Sequence, residues 1–124
     1  MLTVKSMLEA ANGSVPRISV DEAQAMVANR DALLLDVRDG AELTASGKAA
    51  GALHVSRGML EFRADPASPN HDPQLRKDRP VILYCAAGGR AALSGKLLQD
   101  MGYTQVFNLG GFDAWVQGGG AVEP

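Results

Sequence analysis

An α/β protein built on a parallel sheet is the fold class this sequence predicts, and two observations carry the prediction. Leu33-Leu34-Leu35-Asp36-Val37 and Val81-Ile82-Leu83-Tyr84-Cys85 are short, nearly continuous apolar runs, the pattern of strands buried on both faces. Around them lie stretches whose apolar residues recur at helical spacing, so strands alternate with helices, as in a parallel sheet covered by helices.

The chain's 124 residues leave room for one domain, and a domain of this size buries roughly 68% of its unfolded surface. Hydrophobic residues make up 46% and charged residues 21%, the balance of a globular protein, but aromatics are only 5%, so small aliphatics must fill the core. A formal net charge of -2 gives no electrostatic footprint for nucleic acid. No segment approaches the run of about 20 apolar residues that a membrane span needs. Met1 to Lys5 show no secretion-signal pattern. The single cysteine rules out an intrachain disulfide, which fits a reducing, cytoplasmic setting.

In chain order, Leu2, Val4, Met7, Leu8 and Ala11 have roughly helical spacing and Asn12-Gly13 is a stop, so residues 1–16 read as a helical extension, with a partly ordered tail as the alternative. The core is expected over 17–117. Ser19 to Glu22 is a capping box opening a helix through Asn29. The strand Leu33–Val37 follows, and Asp39 with Glu42 resembles a second capping box, for a short helix stopping at Gly47. Asp36 and Arg38 thus fall at a strand's carboxyl end, where open α/β sheets place their sites. They read either as a structural ion pair or as site residues. Ala52 to Val55 suggests a short strand and Gly58 to Phe62 a helical turn.

Residues 63–79 contain Pro66, Pro69 and Pro73 and read as a long loop, either a binding loop or a solvated insertion. His54 and His71 are isolated and make a poor metal site, so no metal or cofactor is expected. After Val81–Cys85 comes a helix from Arg90 to Met101, with Gly102 as its cap. Gly95 inside it weakens the helix by about 1 kcal/mol relative to alanine, so something should press close there. Gln105 to Leu109 is read as the last strand, Gly110-Gly111 as a turn into a short helix with Phe112 and Trp115, and 118–124 as a tail. Trp115 reads as a core anchor.

Chemistry concentrates at Cys85-Ala86-Ala87-Gly88-Gly89-Arg90, where a buried strand ends on the only cysteine and turns into a helix. Backbone N–H groups of such a turn point inward and, with the helix N-terminus, favour an anion or a thiolate. Only the thiolate attacks well, and an ordinary cysteine is mostly protonated at neutral pH. The N–H groups of Ala86 to Arg90 and the guanidinium of Arg90 would stabilise negative sulfur without a histidine base. Gly88 and Gly89 let the backbone curl around it. The bland alternative is an inert, buried thiol.

Several pieces together resemble the rhodanese, or thiosulfate sulfurtransferase, family: Leu33 to Arg38, Gly51-Ala52, the Cys85 to Arg90 loop, Asp100-Met101-Gly102-Tyr103, and Leu109-Gly110-Gly111-Phe112-Asp113-Ala114-Trp115. The resemblance runs from Ile18 onward. It implies a single rhodanese-like three-layer domain, a central parallel five-stranded sheet flanked by helices. It also implies that Cys85 carries a transferable sulfur as a persulfide, taken from a small anionic donor such as thiosulfate and passed to cyanide, a thiol or a protein acceptor. Arg57 and Arg38 are candidate donor-binding residues, and Asp36 is read as structural. The protein is expected to act as a monomer or weak homodimer. One departure is Lys48, which stands where the family usually has a histidine, and a change in local packing is expected there.

Cysteine phosphatases and arsenate reductases are the rival enzyme class, because phosphate also seeks a ring of N–H donors and an arginine. Their loop resembles one with five residues between cysteine and arginine; here four intervene, which suits a single sulfur atom. A sulfur carrier or regulatory binding module docked to a partner is the other alternative, which fold alone does not separate.

Overall fold

A computed structural model describes residues 1–124. Helices α1 (Val4–Ser14) and α2 (Val20–Arg30) precede strand β1 (Leu33–Asp36), and α3 (Gly40–Ser46) follows it. Two short strands come next, β2 (Lys48–Ala49) and β3 (Leu53–His54), then a 3₁₀ turn at Arg57–Met59 and α4 (Leu60–Ala64). The second half is β4 (Val81–Cys85), α5 (Gly89–Asp100), β5 (Val106–Gly111), α6 (Phe112–Gln117) and β6 (Val122–Glu123).

The central sheet has the order β3-β1-β4-β5, with every neighbouring pair parallel. Its strand residues alternate between two cores. Leu33, Leu35, Val81, Leu83 and Cys85 face one side, with Val15 just after α1, Leu60 of α4, and Ala91 and Leu98 of α5. Leu34, Ile82, Tyr84 and Leu109 face the other, with Ala23 of α2 and Phe112 and Trp115 of α6. Period-two burial on both faces explains why these strands read as continuous apolar runs. The expected three layers are present.

The sheet has four parallel strands and not the five expected. The segment that would be the fifth makes a single bridge, Arg17 to Asn108, through hydrogen bonds from Ile18 N–H to the Asn108 carbonyl (3.1 Å) and from Asn108 N–H to the Pro16 carbonyl (2.8 Å). Pro16 has no N–H to extend the ladder and Ser19 already caps α2, so the segment is too short for a strand.

Both expected capping boxes form, Ser19 with Glu22 and Asp39 with Glu42. A third, Thr3 with Ser6, starts α1, which runs through Asn12-Gly13 and ends at Ser14. The tail is not a free end: β6 pairs antiparallel with β2, and Trp115 Nε1 donates to the Ala121 carbonyl at 2.7 Å. Lys48 reaches the Ala52 carbonyl (2.7 Å) and the Glu123 carboxylate, tying the turn before β3 to the tail. The 63–79 stretch begins inside α4 and is anchored: Leu75 is buried, Arg63 pairs with Asp72 at 2.8 Å, and the Tyr103 hydroxyl donates to the carbonyls of Ala64 and Leu75.

Candidate functional site

Because the four strands run parallel, Asp36, His54, Cys85 and Gly111 all finish at one edge of the sheet. β4 delivers Cys85 to that edge on the α5 side, 1% exposed, and α5 starts only four residues later. The chain must therefore reverse tightly, and Gly88 supplies the reversal with φ 102°, a region that side chains disfavour. Its N–H then points inward and donates to Cys85 Sγ at 3.0 Å, and the Ala91 N–H, in the first turn of α5, does so at 3.4 Å. Ala86 and Ala87 form the exposed lip. The sulfur sits at the floor of a small cup of amide donors.

Asn108, buried on β5, braces the cup from below. Its amide nitrogen donates to the Gly88 carbonyl (3.2 Å) while its amide oxygen accepts from Gly110 N–H (2.8 Å). The sequence predicts Asn108 within the last strand and points to no role for it. A polar residue in the middle of an otherwise apolar strand was the available signal, since a buried amide needs partners.

The expected loop residues, Cys85 through Arg90, are thus brought together, but the Arg90 guanidinium is shared. It forks onto Glu42, Nη1 to Oε1 at 2.7 Å and Nη2 to Oε2 at 3.0 Å. Arg90 donation foremost, then the Asp39 N–H that completes the capping box, holds the Glu42 carboxyl down at about 2. Arg90 in turn is pushed up, first by Glu42, and lies within electrostatic reach of the Cys85 sulfur. Glu42 was visible in the sequence as a capping residue, but its pairing across 48 positions was not.

The two other arginines expected near the donor are placed differently. Arg38 is 3% exposed and pairs with the fully buried Asp36 through Nη2 to Oδ2 at 2.8 Å. Its remaining donors go to Ser46 Oγ (2.9 Å) and the Gly47 carbonyl (2.8 Å), and the Phe112 ring lies 4.3 Å from its Cζ. Burial works against that charge and the Asp36 carboxylate outweighs it, leaving Arg38 raised. All three guanidinium nitrogens thus donate within the protein, and the side chain is closed off from solvent. Arg57 pairs with Glu61 at 3.1 Å and lines a groove of 420 Å³ between α1 and α5, none of whose lining residues belongs to the 85–90 loop. The fold does not bring it to the cup.

His54 Nε2 lies 2.7 Å from the Arg38 carbonyl and His71 Nε2 lies 3.0 Å from that of Leu75, so both imidazoles are engaged locally. No helix is long and apolar enough to cross a membrane.

Comparison with known proteins places this geometry in a family. A sulfurtransferase from Allochromatium vinosum is 33% identical over 98 residues, spanning 78% of this chain and 83% of that protein. The thiosulfate sulfurtransferase GlpE of Coxiella burnetii is 32% identical over 100 residues, spanning 80% and 85%. A solved structure from Rhodopseudomonas palustris, called a protein of unknown function and possible tyrosine phosphatase, matches with a TM-score of 0.90 at 39% identity, covering 99% of this chain and 96% of that one. The model of the rhodanese-like domain matches residues 19–118, nearly all of the sheet and its helices, and the chain belongs to the rhodanese-like domain family.

Proposed function

We propose that this protein is a sulfurtransferase that takes the outer sulfur of thiosulfate onto Cys85 as a persulfide and hands it to a second nucleophile, cyanide, a thiol or an acceptor protein, in a cytoplasmic setting. The observation that carries the reading is the cup itself: a sulfur at the end of a parallel strand, receiving the N–H groups of Gly88 and Ala91, with four residues between cysteine and arginine. Preorganised amides stabilise a negative sulfur both before attack and afterwards, when the charge has moved one atom outward onto the persulfide. Sulfur transfer in general is supported by the family and by relatives named as sulfurtransferases; thiosulfate as donor is the finer part of the proposal.

Mass spectrometry of the intact protein after thiosulfate treatment tests it. The expected result is a gain of one sulfur atom that cyanide removes and that Cys85→Ser never acquires. A C85S variant that still moves sulfur from thiosulfate to cyanide would overturn the nucleophile assignment. The likeness to a possible tyrosine phosphatase makes aryl phosphate the control substrate. The four-residue span should leave it unhydrolysed, and phosphate turnover without sulfur loading would reverse the order of the two chemistries.

A further inference from the structure

Beside the turn that holds the sulfur lies one charge with no carboxylate partner. Arg90 of the loop and the donor candidates Arg38 and Arg57 are each paired with a carboxylate. Arg17 hydrogen-bonds no side chain, although its backbone is fixed by the bridge to Asn108, the residue that braces the cup. In a parallel bridge, paired residues face the same side of the sheet, so Arg17 leaves the edge on the side from which Asn108 reaches Gly88.

Its guanidinium lies over two glycines. A side chain at Gly110 would come within 2.5 Å of Arg17 Nη2, and one at Gly88 would come within 3.6 Å of Nη1. Gly88 and Gly110 also face each other closely, and both have φ near +100° (102° and 100°), so bare backbone forms the floor under the guanidinium. One of those glycines is the donor to the Cys85 sulfur. Arg17 itself is exposed, so the guanidinium that covers Gly110 and approaches Gly88 is open to solvent.

We propose that Arg17 is a donor-binding residue that receives the sulfonate end of thiosulfate. This rests on the sulfur-transfer reading. In that reaction the Cys85 thiolate attacks the outer sulfur, a new sulfur–sulfur bond forms to Cys85, and the sulfur–sulfur bond of thiosulfate breaks with its electron pair leaving on sulfite. A charge of minus three enters as thiolate plus thiosulfate and leaves as persulfide anion plus sulfite, with no external oxidant or reductant. In-line attack points the leaving sulfonate away from Sγ, out of the amide cup, where the backbone donors do not reach. A solvent-open cation next to Gly88, one residue of the turn that holds the sulfur, is the charge placed to meet the three oxygens as they leave. A guanidinium offers parallel N–H groups to an oxyanion, which an ammonium does not reproduce.

The test compares loading of Cys85 from two donors, thiosulfate and the persulfide of mercaptoethanol, which lacks a sulfonate. Arg17→Ala should raise the KM for thiosulfate by about 5- to 10-fold, the scale of a charge-assisted contact at an exposed position, and weaken product inhibition by sulfite to a similar degree. Arg17→Lys should recover only part of the loss. Loading from the mercaptoethanol persulfide should be unchanged in both variants, which also shows that the loop remains intact. If R17A and the native protein share the same thiosulfate KM, the assignment to Arg17 fails while sulfur transfer stands. Equal losses with both donors would overturn it in favour of a role in holding the loop. A native protein that loads only from the persulfide would overturn the sulfonate site, and one that loads from neither would overturn the sulfur-transfer reading itself.

Discussion

Glu42 is tied to two elements by one carboxylate: it caps α3 through the Asp39 N–H and holds the guanidinium of Arg90 at the start of α5. Its carboxyl is held at about 2 against an ordinary 4.5. A depressed carboxyl contributes stability that is fully present above its unfolded value and is lost as pH falls through the folded one. Glu42→Gln should therefore unfold at a lower Tm than the native protein near neutral pH, with the gap closing as pH falls from 4.5 towards about 2. Thermal melts of both proteins across that range check the sign; a gap that widens on acidification would contradict it. The carboxylate is partly solvated, so the effect at neutral pH is modest. The residue scale is also where sequence reading was weakest. Cys85 and its loop were legible because a lone cysteine, two glycines and an arginine are contiguous. Glu42, Asn108 and Arg17 were not, because their roles arise from partners far along the chain, and a local pattern explained Glu42 without any site.

At the scale of elements, α5 shows how packing overrides propensity. Gly95 should favour replacement by alanine on helix propensity alone, by about 1 kcal/mol. A methyl group there would lie 2.9 Å from Val15 Cγ1 and 3.2 Å from Val106 Cγ1, closer than carbon atoms normally pack. Overpacking of this kind costs about 1–3 kcal/mol, enough to cancel or exceed the helix gain. Gly95→Ala should thus be destabilising in urea denaturation, and the loss should shrink in a Val15→Ala background, where space opens beside the new methyl. The sequence signalled a close approach at Gly95 but not what approaches, since Val15 sits 80 positions earlier in the linker after α1. The longer strands and the helices α2 and α3 were readable from aliphatic runs and capping boxes, whereas the two-residue strand Lys48–Ala49 was not. The fifth strand was not, because a family-level expectation overlooked Pro16 and the cap at Ser19, which leave that segment one bridge long.

For the whole molecule, the sheet's carboxyl edge and its flanking tail are separable. β6 closes against β2, and Lys48 joins the Glu123 carboxylate to the turn before β3, yet none of these residues touches the cup. Truncation after Ala121 should lower Tm by a few degrees, consistent with loss of about 1 kcal/mol, while sulfur loading of Cys85 stays at the native rate. Loss of loading in a truncated protein that still melts cooperatively would show that the tail supports the site. Nothing in the local sequence marks Val122-Glu123 as a strand: two residues after a glycine run gain that state only from the partner strand they meet.

The convergence of two amides on one sulfur makes the cup a spectroscopic antenna. Gly88 N–H and Ala91 N–H point at the same atom from different stretches of backbone, one in the turn and one in the helix. A proton shared with sulfur takes its resonance position from the charge on that sulfur. Two crosspeaks in an amide correlation spectrum, assigned once, would then distinguish resting thiol, thiolate and sulfur-loaded protein in a living reaction, with no label on the cysteine and no quench.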